Sequence, residues 1–142
     1  MKNNLYKSVL LAALLMFTAG AFADEVIVIV HPSNPLTEIS INDLKKIYLG
    51  KKKFFPNGGK VIPVDQKRGT ESRKFFYGGI IGKSETKLKS YWARLIFTGR
   101  GTPPKVIKED VLLKKWVADQ PKAIGYMMSN EVDNTVKVLE LK

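Results

Sequence analysis

Apolar residues gather at intervals along the chain, and the spacing within each group predicts an element. From Val26 to His31 five of six residues are apolar and β-branched, a run that reads as a buried strand stopped by Pro32. Ser40 then caps an expected helix, ISINDLKKIYLG, with Ile41, Leu44, Ile47 and Tyr48 on one face and Gly50 just past its end. Lys60 to Asp65, KVIPVD, predicts a second strand, and Pro63 inside it points to an edge or an irregular ladder. A helix follows from Thr70 to Tyr77, ended by Gly78 and Gly79. Ser84 opens a longer helix in which Leu88, Tyr91, Trp92, Leu95 and Ile96 recur at helical spacing, and TGRGTPP breaks it. The last helix is expected over Glu109 to Asp119, with Val111 or Leu112, Leu113, Trp116 and Val117 inward; AIGYM and TVKVLEL close the chain as strands. Strands alternating with helices imply a single α/β layered domain.

The opening residues change that picture. Lys2 and Lys7, the apolar run Ser8 to Phe17 and the small residues AFA at 21–23 read as a signal peptide, so residues 1–23 are expected to be removed and 24–142 to form the domain. The apolar run is shorter than the ~20 residues of a spanning helix, which implies an exported, periplasmic or secreted protein that does not cross the membrane. With no cysteine there is no disulfide, no thiolate metal site and no lipid anchor on a cysteine. The whole chain carries 24 basic and 13 acidic residues, a formal +11, and losing Lys2 and Lys7 leaves +9. Such an excess favours phosphates, polyanions or anionic envelope surfaces; no nucleic-acid motif accompanies it, so nucleic acid is not the expected partner.

Candidate chemistry centres on VDQKRGTES, Val64 to Ser72. Gly69 allows close backbone approach, Thr70 and Ser72 carry hydroxyls, Lys67 and Arg68 carry charge, and the first amides of a helix suit an oxyanion. The same residues also describe a plainly capped helix with a solvated basic surface. Enzymatic readings find little. His31 is the single histidine and sits at a strand end, so neither a histidine metal cluster nor a triad is expected. Asp65 is expected to pair with Lys67 or Arg68, and no cofactor motif is present. Phe54, Phe55, Phe75, Phe76 and Tyr77 are expected in the core. Lys51 to Lys53, Arg94 with Arg100, and Lys114 with Lys115 read as solvated clusters, and FTGRG as a tight helix exit.

The order NDLKKIYLGK, VIPVD, KRGTES and AIGYM resembles the phosphate-binding proteins of bacterial phosphate ABC importers, and YWARLIFTGRGTPP is similar to a segment of short relatives of single-lobe size. The resemblance implies one lobe of the type II periplasmic solute-binding fold, a mixed sheet flanked by helices, binding phosphate or a similar oxyanion for uptake or sensing, with an ABC permease or a second copy as partner. Gly69, Thr70, Glu71 and Ser72 align with that family's Gly-Ser-Gly-Thr loop, and Gln66 stands where the family has a phosphate-clamping arginine. The implied ligand-binding set is Gln66, Arg68, Gly69, Thr70 and Ser72. Glu71 replaces a glycine, so a carboxylate enters and a guanidinium leaves one small site. The alternative is a cationic envelope module that keeps the fold without the solute.

Overall fold

The structure, a computed structural model, describes residues 24–142; the expected leader lies outside the described residues. Its elements run β1 (Val26–Val30), β2 (Glu38–Ile39), α1 (Ile41–Tyr48), β3 (Ile62–Gln66), α2 (Glu71–Phe75), α3 (Glu85–Phe97), β4 (Lys105–Ile107), α4 (Asp110–Asp119), β5 (Ala123–Met128) and β6 (Lys137–Leu141). A π-helical stretch, Phe76–Ile81, continues α2 without a break. The strands form one mixed sheet in the order β2-β6-β1-β5-β3-β4. β1 is antiparallel to both β5 and β6, whereas β3 is parallel to β5 and β4. The expected α/β class with a mixed sheet and flanking helices is therefore what forms.

Alternation along the strands divides the core in two. Val28, Val30, Ile124 and Tyr126 face a layer built from α1, the π stretch and α3, with Leu44, Tyr48, Phe76, Leu88 and Trp92 at its centre. Ile29, Ala123 and Met127 face the opposite side, where α4 lays down Leu113 and Val117. Gly125 lies beneath α4, and a Cβ there would meet Leu113 Cδ2 and Val117 Cγ2 at 3.1 Å and Val64 Cγ2 at 3.2 Å. α4 packs this close because the strand has no side chain there.

Capping went as the sequence implied: Ser40, Thr70 and Ser84 each accept an amide three residues on. Several expectations need correction. Of the two alternatives for Pro63, the edge strand is not what forms and the irregular ladder is, because β5 pairs with the start of β3 while β4 joins only from Val64 onward, so no partner needs the missing N–H. Gly78 and Gly79 do not end their helix; the turn widens to a π-helix and stops at Gly82, whose φ of 76° suits a left-handed cap. Neither Val111 nor Leu112 points inward, at 71% and 51% exposed. Ile96 is likewise exposed, and of the five expected core aromatics Phe54 and Phe75 lie outside while Phe55, Phe76 and Tyr77 are buried. Each Phe-Phe pair places one ring in the core and one in solvent. No helix of the described residues is long and apolar enough to cross a membrane.

Candidate functional site

β3 delivers the candidate loop to the carboxyl ends of three parallel strands, where open α/β sheets place their ligand crevices. Its turn, Lys67 to Thr70, is held by the Thr70 amide donating to Lys67 O at 3.3 Å and by the Thr70 hydroxyl donating to the same carbonyl at 2.9 Å. Gly69 adopts φ 88° with open space where a Cβ would stand, so the chain can turn sharply without filling the approach to the helix. The Thr70 hydroxyl also accepts from the Arg73 amide at 3.4 Å. Among the described residues, nothing accepts from the Gly69 or Glu71 amides. Glu71 is exposed, and its carboxylate does not fold back on them.

The five sequence-expected residues thus separate. Arg68 and Gly69 lie at the surface, Thr70 is half-buried, and Ser72 is buried beneath it with its hydroxyl 3.5 Å from Thr70 Oγ1. Gln66 is fully buried: its side-chain amide donates to Tyr126 O at 3.0 Å, and its Oε1 has no partner. An auxiliary donor to a surface anion it is not, because its one donor group points inward to β5. The two hydroxyls are also engaged within the turn, which leaves the unbonded backbone amides and the exposed Lys67 and Arg68 side chains as donors there.

Behind the turn lies a polar cluster that the sequence reading missed. Asp65 pairs with Arg73 at 2.8 Å, not with Lys67 or Arg68. The same carboxylate accepts from Tyr77 Oη at 2.7 Å, Tyr126 Oη at 2.5 Å and the Gln66 amide at 2.8 Å. Arg73 extends the chain outward, donating to Gln66 O at 2.9 Å and to Glu85 Oε1 at 2.5 Å, while its guanidinium lies over the Tyr77 ring. Glu85 in turn meets Arg68 Nε at 3.4 Å. Arg73 reads as surface in an SRK run, yet Ser72, Arg73, Phe76 and Tyr77 fall on one helical stripe, which is the signal that would have found it.

Burial decides how these groups ionise. It pushes the Asp65 carboxyl up from its ordinary value, with Arg73, the two phenols and the Gln66 amide pulling the other way. Burial and then the Asp65 charge raise the Tyr77 and Tyr126 phenols, so both stay protonated and donate. Burial opposes the charge on Arg73, but Glu85 and Asp65 outweigh it and hold the guanidinium protonated. The cluster therefore locks the turn to the sheet and to α3. No group of His, Asp or Glu among the described residues is arranged to hold a metal ion.

No family model and no curated protein sequence matches the chain. Solved structures do. An ABC-type phosphate transport receptor from Vibrio cholerae superimposes with a TM-score of 0.68 at 20% identity, covering 83% of this chain and 46% of that one. A candidate phosphate ABC transporter substrate-binding protein from Clostridium perfringens, solved with bound phosphate, gives 0.68 at 21% identity over 83% and 45%. PstS from Borrelia burgdorferi gives 0.63 at 16% identity over 84% and 47%. At such identities the likeness speaks for the fold, which is that of part of a phosphate receptor. The chain spans about half the length of the structures it matches.

Proposed function

We propose that the protein is a periplasmic receptor for phosphate or a similar oxyanion, serving phosphate uptake or sensing, with the anion seated on the Arg68–Glu71 turn. One observation carries the reading: a glycine turn at the carboxyl end of a parallel strand opens a helix, and at its start the Gly69 and Glu71 amides have no acceptor among the described residues, next in sequence to the exposed Arg68. The shared fold with phosphate receptors supports it, as does the leader expected in the sequence. Gly69 and Glu71 supply backbone donors and Arg68 supplies charge. Thr70 shapes the turn, and Ser72 backs Thr70. The role is binding, with no reaction attached.

These residues form one wall of a site. A dianion resting on it keeps most of its oxygens in water, so binding is expected to be weak and salt-screened until an ABC permease or a second copy covers it. Calorimetric titration with inorganic phosphate at low ionic strength is expected to give a Kd weaker than about 1 μM that rises steeply with salt, and Arg68→Gln is expected to weaken it about tenfold. A folded protein that takes up no phosphate at millimolar concentration and low salt would end this reading. A second reading, a cationic docking module, is favoured by Lys51, Lys53, Arg94 and Arg100, none of which has an ion-pair partner among the described residues. It requires that neutralising Lys51 and Lys53 alter binding to anionic surfaces more than changing Arg68 does.

A further inference from the structure

α3 and β4 leave a groove open between them. β4 is an edge strand, and Val106, in register with Asp65 and about half exposed, lies on the α3 side of the sheet. The groove encloses about 340 Å³, a volume within the range of small-molecule clefts. Its walls are Leu88, Trp92 and Ile96 from α3, with Pro104 and Val106 opposite. Asp65, Arg73 and Glu85 close its inner end, and Arg68 and Lys89 stand with them around it.

The charges there do not cancel. Asp65 and Glu85 are both taken by Arg73, at 2.8 and 2.5 Å. Arg68 reaches Glu85 only at 3.4 Å and its side chain is 64% exposed, while Lys89 has no ion-pair partner among the described residues. Three cations against two carboxylates leave one positive charge beside an apolar wall on which Ile96 and Val106 are about half exposed. A bare oxyanion would answer the charge and leave the wall wet. A neutral hydrocarbon would cover the wall and leave the charge unanswered.

We infer that the α3–β4 groove binds a small organic anion, with one ring-sized or branched apolar group against Trp92, Ile96 and Val106 and a carboxylate or phosphate on Lys89 and Arg68. The groove lies across the Arg73–Glu85 pair from Gly69 and Thr70, which line a separate hollow. Arg68 is common to this groove and to the proposed phosphate turn, whereas Lys89 and Ile96 line the groove and not that hollow.

Calorimetric titration of the protein with phenyl phosphate, inorganic phosphate and 2-phenylethanol tests this. Phenyl phosphate is expected to bind about tenfold more tightly than either of the others, because only it satisfies both features. Ile96→Asp and Lys89→Glu, both at exposed positions of α3, are each expected to weaken phenyl phosphate about fivefold or more and to leave inorganic phosphate unchanged. Equal affinity for phenyl phosphate and inorganic phosphate would overturn the inference, and so would a preference for phenyl phosphate that survives both substitutions. Tight phenyl phosphate binding with no inorganic phosphate binding would support the groove while removing the turn as a phosphate site.

Discussion

Asp65 and Arg73 are the residues on which the turn depends, because each is almost fully buried and each is the other's charge partner. Removing the cation leaves an uncompensated carboxylate in the core. Arg73→Met is therefore expected to cost about 3–5 kcal/mol in urea unfolding, and adding Asp65→Asn to it is expected to recover part of that loss. A single-variant cost below about 1 kcal/mol would show the pair to be solvated. A different carboxylate sets an acid response. Asp133 is held down at about 2 by Lys114 and by the Thr135 hydroxyl and amide. Its folded value lies below the unfolded 3.8, so its contribution is present above 3.8 and is lost as pH falls through about 2. Urea midpoints of the wild type and Asp133→Asn are expected to differ near neutral pH and to converge at about pH 2; a constant gap would contradict the assignment.

At the scale of elements, the sequence showed its helices well where a capping residue and a 3.6-residue period coincide, as at Ser40, Thr70 and Ser84. It showed them poorly where burial depends on distant partners. Val111 and Leu112 satisfy an inward period, but α4 sits over the sheet on Leu113 and Val117, with Trp116 and Ala118 partly buried beside them. Lys105–Ile107 and Glu38–Ile39 are too short to register as strands without the neighbours they pair with. The paired glycines after Tyr77 read as a stop because a π turn has no local signature; the left-handed residue that ends it is Gly82. Gly125 is the element-level contact most open to test. Gly125→Ala is expected to cost about 1–3 kcal/mol, because the added methyl meets three side chains that are themselves packed; a neutral effect would show that α4 can lift off the sheet.

Across the whole molecule, the order of motifs made the fold legible, and the mixed sheet with helices on both faces bears that out against solved receptors. The site was legible only in part. Arg68, Gly69 and Thr70 share a turn, whereas Gln66 and Ser72 face the interior, because alternation along β3 and the inward stripe on α2 bury polar residues there as they do apolar ones. Under the proposed function the start of α2 offers its amides to an oxyanion. The most direct test of this is an amide-resolved nuclear magnetic resonance titration with inorganic phosphate at low salt. The Gly69, Thr70 and Glu71 amide signals are expected to move together and saturably, and in Arg68→Gln to need about tenfold more phosphate for the same movement. Shifts spread over Lys51, Lys53 and Arg100 with those three signals still would contradict it.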